Sequence, residues 1–157
     1  RGNHPLVVAS KTSLGISLAG VEKREEGARK EFIEAWKLSK DFKGKKLKFT
    51  AICNYNIGVS FLNSDRPDFA MRYLIKGFSI ACKKDSARLE RYLDSLIAAI
   101  ATFKKPEIQE EKAKEVLTLC RKKLGKEHEL TKKFKKSKGK TPPPIKFMPI
   151  SNIYRVL

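Results

Sequence analysis

The amino-acid sequence predicts an all-α fold, specifically an α-solenoid of antiparallel helix pairs. Residues 6–130 contain few glycines and prolines and are rich in Ala, Leu, Ile, Lys and Glu, a composition that favours helices. A small–large–small pattern of residues also recurs along the chain at intervals of 42 and 43 residues. Because the chain shows no sustained alternation of polar and apolar residues, a sheet is disfavoured.

The recurring pattern places a small, a large and a small residue on one face of a helix, at spacings of four and three. Small residues allow two helices to approach closely, and the large residue between them fills the remaining space. Stacked helix pairs bury a continuous core that one pair cannot bury alone. The three triplets are Ala28, Phe32 and Ala35; Ala70, Leu74 and Gly77; and Ala113, Leu117 and Cys120.

Each triplet is preceded by another amphipathic segment. These segments cover roughly residues 6–18, 48–62 and 87–103, and their apolar residues follow a period near 3.6. The sequence therefore predicts three helix pairs at 1–46, 47–84 and 85–125, a capping helix at 126–136 and an extended tail at 137–157.

The middle pair resembles the signature of the tetratricopeptide repeat family. Gly58 and Phe61 stand at the family's spacing before Ala70, and Leu74 replaces the usual aromatic residue. The first pair offers Gly15 in a similar Leu-Gly step, whereas the third pair has only the looser segment Ala99–Phe103. Gly15, Gly58 and Phe61 are thus repeat-packing residues together with the three triplets.

The period and the connectors resemble the longer-helix variety of this repeat, found in kinesin light chains and related proteins. The period near 42 exceeds the usual value of about 34. The segments at 2–7 and 124–131 are both similar to the Gly-x-x-His-Pro-x-Val connector of that variety. Since the chain begins inside such a connector, further repeats are expected before Arg1.

The resemblance implies a right-handed superhelix whose concave surface, lined by the first helix of each pair, binds proteins or peptides. It does not imply catalysis. Tyr55, Asn56 and Asn63 are candidate contacts because they are hydrogen-bonding residues on or after a first helix. Val59 shares that face. Tyr55 and Val59 replace residues of the family's clamp for C-terminal carboxylates, so that specialised ligand is disfavoured.

The C-terminal tail is strongly basic. The chain carries a net charge of +18, and residues 132–157 contain eight basic residues and no acid. Such a field attracts polyanions without choosing among them. The candidate polyanion-binding residues are Lys132, Lys133, Lys135, Lys136, Lys138 and Lys140.

Three prolines at 142–144 form a stiff spacer. The apolar residues Phe147, Met148, Ile150, Ile153, Tyr154 and Val156 follow that spacer. The tail is either a solvated, disordered end or a linker that crosses an acidic surface and lets its terminal segment dock elsewhere.

No catalytic, cofactor or metal constellation stands out in the sequence, so an enzyme is not expected. His4 and His128 are far apart, each in a connector, where they are expected to cap helices. The cysteines Cys53, Cys82 and Cys120 are expected to be buried free thiols. No apolar run is long enough to span a membrane.

The sequence therefore predicts a non-catalytic, protein-binding scaffold subunit of a larger complex. A cytoplasmic location is expected, in a cytoskeletal, microtubule-associated or ciliary assembly, because tubulin surfaces are acidic. The alternative is an RNA-associated subunit of a ribonucleoprotein or ribosome-like particle, since phosphate neutralisation requires Lys and Arg. The predominance of Lys over Arg weighs against RNA.

Overall fold

The structure is a computed structural model that describes residues 4–151, and in that range the chain is all-α. This confirms the predicted fold class at its coarsest level. The seven α-helices of the described range are α1 (Pro5–Ala19), α2 (Glu25–Ser39), α3 (Leu47–Asn63), α4 (Pro67–Lys84), α5 (Leu89–Thr102), α6 (Pro106–Leu124) and α7 (Glu129–Lys136). The segments predicted at 6–18, 48–62 and 87–103 agree with α1, α3 and α5 to within two residues at each end.

Local sequence explains where several helices begin. Pro5, Pro67 and Pro106 each occupy the first turn of a helix, where the missing amide hydrogen leaves no intrahelical bond unmade. The Nδ1 atoms of His4 and His128 accept hydrogen bonds from the amides of Leu6 and Leu130, both at 3.1 Å. The capping role predicted for the two histidines is confirmed.

The first two helix pairs pack closely through a glycine. A Cβ atom on Gly15 in α1 would lie 2.6 Å from Cε1 of Phe32 in α2, and one on Gly58 in α3 would lie 2.5 Å from Cγ of Leu74 in α4. Each glycine therefore makes the space that the large residue of the triplet fills. The small members Ala28, Ala35, Ala70 and Gly77 are also buried.

The third pair is packed differently. α5 and α6 approach each other much less closely than α3 and α4 do. Cys120 is fully buried, but Ala113 and Leu117 are only half-buried. Thus the third triplet shares the sequence pattern of the other two without forming an equally close contact. The main core runs from α2 through α3 and α4 to α5 of the third pair, with Phe49, Leu74, Phe78 and Leu93 fully buried.

Candidate protein-interaction groove

The C-terminal strap, residues 145–150, lies against α3 of the same chain. The strap has neither helical nor strand structure. Met148 is fully buried and Ile150 is 7% exposed, whereas Pro149 between them is exposed. This alternation is that of an extended segment with one face towards the protein.

Asn56 recognises the backbone of the strap at two points. Its side-chain Nδ2 donates to the carbonyl oxygen of Met148 at 2.9 Å, and its Oδ1 accepts from the amide of Met148 at 2.8 Å. Asn56 lies in the middle of α3 and is fully buried. A buried side-chain amide that pairs with both the N–H and the C=O of one residue binds main chain, whatever side chain that residue carries.

Tyr55, the neighbouring residue of α3, makes a third contact with the strap backbone. Its hydroxyl donates to the carbonyl oxygen of Lys146 at 2.7 Å. Burial raises the pKa of Tyr55 to about 12, so the hydroxyl keeps its proton at neutral pH. The Tyr55 ring packs edge-on against Tyr92 of α5, with 5.3 Å between the ring centroids. This contact holds the hydroxyl in place.

The aromatic residue of the strap packs on the first helix pair. The rings of Phe147 and Phe32 lie 5.0 Å apart between centroids and are tilted by 31°. Ala28 and Ile57 belong to the same apolar cluster. Phe32 therefore serves two contacts, filling the notch at Gly15 and supporting the strap. The groove is formed by Phe32 of α2 and by Tyr55 and Asn56 of α3, with α5 behind it.

The four candidate groove residues lie in different environments. Tyr55 and Asn56 bind the strap, and Val59 is fully buried in the core. Asn63 is exposed at the last position of α3. Another repeat-packing candidate, Phe61, is half-buried and stacks on Phe69 and Tyr73 with centroid distances of 5.2 and 5.9 Å.

Sequence reasoning missed the strap as the occupant of this groove. It expected the terminal segment either to be disordered or to dock elsewhere, whereas residues 145–150 dock on the chain's own α3. Two signals could have indicated this. An asparagine within a predicted core helix usually has hydrogen-bond partners, and Met148 and Ile150 are apolar at alternate positions. The predicted apolar residues Ile153, Tyr154 and Val156 lie outside the described residues.

The six candidate polyanion-binding lysines fall into two groups. Lys132, Lys133, Lys135 and Lys136 belong to α7, whereas Lys138 and Lys140 follow it in the linker to the strap. These lysines do not contribute equally to the charge presented to a partner, because some of them pair with acids of the same chain.

Lys133 connects α7 to α5. Its ammonium lies 2.7 Å from Glu90 and 2.8 Å from Asp94. Burial lowers the pKa of Lys133, but the hydrogen bonds to Asp94 and Glu90 outweigh that effect and raise it overall. Lys132 pairs with Glu127 at 3.2 Å. All six lysines except Lys133 are exposed. The ion pair of Lys132 is itself exposed to solvent, so Lys133 is the one whose charge is most strongly directed inward.

The cysteines are not in a state suited to nucleophilic chemistry. Cys53 and Cys120 are buried as predicted, and burial raises the pKa of each thiol to about 12. Cys82 is only half-buried, and burial raises its pKa to about 11. A reactive cysteine requires a lowered pKa. Within residues 4–151, no group of three or more His, Cys, Asp or Glu residues is arranged to hold a metal ion.

Comparison with protein-family models, curated proteins and solved structures finds no match to this chain. The resemblance to tetratricopeptide repeats therefore rests on the residues of this chain alone. None of the helices in the described part of the chain is both long and apolar enough to cross a membrane.

Proposed function

We propose that this chain is a non-catalytic scaffold that binds extended segments of other proteins in the groove now filled by its own strap. The observation that carries the proposal is the double hydrogen bond between Asn56 and the backbone of Met148. Main-chain recognition supplies affinity for any extended segment, and side-chain pockets then select the sequence. A partner segment would place apolar residues where Phe147, Met148 and Ile150 lie.

The proposal includes the α-solenoid of tetratricopeptide type. Its support is the recurrence of one packing device in successive helix pairs, a glycine facing a large residue at Gly15–Phe32 and Gly58–Leu74. In such a solenoid the first helices line the concave surface, and α3 carries both Tyr55 and Asn56. The proposed assignment therefore puts the strap-binding residues on the face that this architecture uses for ligands.

The charge favours an acidic partner assembly. A net charge of +18 steers the chain towards negative surfaces, and exposed lysines near the strap's linker concentrate that field. We propose a cytoplasmic setting in a cytoskeletal complex, with microtubule-associated or ciliary structures as the first places to look. An RNA-associated role rests on the same exposed lysines, and the internal pairing of Lys133 with Glu90 and Asp94 removes one of them.

The test uses a variant of the full chain in which Met148→Asp and Ile150→Asp displace the strap from the groove. We call this the unseated variant. A labelled peptide with the sequence of residues 143–151 is titrated by fluorescence anisotropy into this variant and into the unaltered chain. We expect the peptide to bind the unseated variant and to bind the unaltered chain much more weakly, because the tethered strap competes at an effective concentration on the order of millimolar.

The matched control is Pro149→Asp with Ser151→Asp, which adds the same charge at two exposed positions. This variant should keep its strap docked and exclude the peptide as the unaltered chain does. Addition of Asn56→Ala to the unseated variant should abolish peptide binding. If circular dichroism shows that the unseated variant is folded and it still does not bind the peptide, the groove is not a peptide-binding site.

A further inference from the structure

The third helix pair lacks the glycine that closes the first two pairs. Gly15 faces Phe32 and Gly58 faces Leu74, but Ile100 occupies the corresponding position of α5. A branched side chain there holds the neighbouring helix away, which agrees with the wider separation of α5 and α6. A cleft of about 880 Å³ opens between α5, α6 and α7.

The floor of this α5–α6 cleft is apolar. Ile97 and Phe134 are buried at its base, while Ile100, Ala113 and Leu117 remain half-exposed along its walls. Apolar side chains that line a concave surface and still meet solvent are typical of interaction sites. The loosely packed triplet of the third helix pair thus leaves a concave apolar surface in contact with solvent. The first two pairs have no such surface along their triplets.

The rim of the cleft is basic. Lys114, Lys135, Lys138 and Lys140 border it and are exposed, and Glu110 is the acid among the residues that line it. Glu110 lies 3.6 Å from Lys114, so the other three lysines face a partner without an acid from this rim. A second copy of the chain would bring a further net charge of +18 and be repelled, whereas an acidic partner is attracted.

The shape of the cleft favours a helix as the occupant. Helices α5, α6 and α7 form three of its walls, and the linker at 137–142 borders the fourth side. An amphipathic helix places an apolar stripe in such a groove and leaves its polar face in solvent. A fatty-acyl ligand would instead need a pocket that encloses most of its surface, roughly 70–90%. We propose that the α5–α6 cleft binds an acidic amphipathic helix of a partner protein, at a site separate from the strap groove.

The experiment measures binding of a synthetic helical peptide by the full chain. The probe has about 18 residues, long enough to span roughly 27 Å, with leucines on one face and glutamates on its flanks. A scrambled peptide of the same composition lacks the stripe and reports attraction by charge alone. We expect the striped peptide to bind roughly tenfold more tightly than the scrambled one, a difference equivalent to burial of about one apolar side chain.

Two variants locate the site. Ala113→Trp fills the cleft with a large side chain. Lys135→Glu with Lys138→Glu reverses the charge of two rim residues and leaves the buried core residues unchanged. Each should weaken binding of the striped peptide by roughly tenfold. The matched controls are Thr118→Trp on an exposed position of α6 and Lys122→Glu with Lys123→Glu at its C-terminal end. Both controls should leave the affinity within about twofold of the unaltered chain.

Three outcomes would overturn the proposal. Equal binding of the striped and scrambled peptides would mean that the chain attracts acidic peptides by charge alone, without recognising an apolar helix face. Unchanged binding by both the Ala113→Trp and the rim variants would place the peptide elsewhere. If single-stranded oligouridylate displaces the striped peptide and its own binding also depends on Ala113, the cleft is a nucleic-acid site instead.

Discussion

At the scale of single residues, the strap is held by a buried asparagine. Asn56 is fully buried and satisfies both functions of its amide on Met148. The opposite arrangement is found two residues earlier, where the Oδ1 atom of Asn54 is buried with no hydrogen-bond partner among residues 4–151, while its Nδ2 donates to the Thr50 carbonyl. The full pairing of Asn56 therefore depends on the strap.

Replacement of Asn56 by alanine should destabilise the chain by about 1–3 kcal/mol, because the amide and carbonyl of Met148 lose their partners. Urea unfolding followed by circular dichroism measures this change. Asn63→Ala, at the exposed end of the same helix, should change the free energy of unfolding by less than about 0.5 kcal/mol.

A double-mutant cycle separates the strap from other effects of Asn56. In a chain whose strap is already unseated by Met148→Asp and Ile150→Asp, Asn56→Ala should cost much less than in the unaltered chain. An equal cost in both backgrounds would mean that Asn56 stabilises α3 by contacts unrelated to the strap.

The sequence identified Tyr55 and Asn56 as candidates but not what they bind. Both are hydrogen-bonding residues among the apolar positions of α3, and that feature is visible in the sequence. Their partners lie 91 and 92 residues further along the chain and contribute backbone atoms. The apolar residues Met148 and Ile150 at alternate positions are compatible with a docked extended segment. Since backbone groups are the same in every residue, they do not identify Tyr55 and Asn56 as its partners.

At the scale of helices, the closest contacts depend on the absence of a side chain. Gly58→Ala in α3 would place a Cβ atom 2.5 Å from Leu74. We expect this substitution to destabilise the chain by about 1–3 kcal/mol through overpacking, despite the better helix propensity of alanine. Thermal unfolding measured by calorimetry would detect the loss.

Gly27→Ala in α2 is the matched control for the glycine substitution. A Cβ atom there would have ordinary contact with Leu18 at 3.9 Å, and no other helix in the described part of the chain comes closer. This change should stabilise the chain by about 0.5–1 kcal/mol, because alanine loses less backbone entropy than glycine in a helix. If Gly58→Ala were also stabilising, the close packing of α3 on α4 would be wrong.

Much of the helical arrangement could be predicted from local signals. Apolar spacing located α1, α3 and α5, and prolines indicated the starts of α4 and α6. The open third pair was less apparent. The missing Leu-Gly step was visible in the sequence, with Ile100 in the place of the glycine. The width of the resulting cleft, however, depends on how α6 and α7 pack against α5. That is a tertiary outcome, which a repeat pattern cannot specify.

At the scale of the whole molecule, the effect of a lysine on stability depends on whether it forms ion pairs, and the net charge does not describe this. Lys133 ties α7 to α5 through Glu90 and Asp94, while Lys135 on the same helix is exposed. Lys133→Gln should lower the free energy of unfolding by up to about 1 kcal/mol, since the lysine is more than a third exposed and its ion pairs are screened by solvent.

The dependence on salt distinguishes this effect from lost packing. The difference between Lys133→Gln and the unaltered chain should shrink as sodium chloride is raised to 1 M, where the Debye length falls to about 3 Å. Lys135→Gln should show little difference at any salt concentration. A penalty for Lys133→Gln that persists undiminished at high salt would indicate that the aliphatic stem, rather than the charge, connects α7 to α5.

The strap brings the C-terminal part of the described chain against the first two helix pairs, since Phe147 packs on α2 and Met148 on α3. The most direct test of this arrangement is the hydrogen-exchange rate of the Met148 amide in the intact protein, measured by NMR at neutral pH. Docking on Asn56 predicts exchange slowed by roughly 100-fold or more relative to an unstructured peptide, with most of that protection lost in Asn56→Ala. Exchange at the unstructured rate in the unaltered chain would contradict the account.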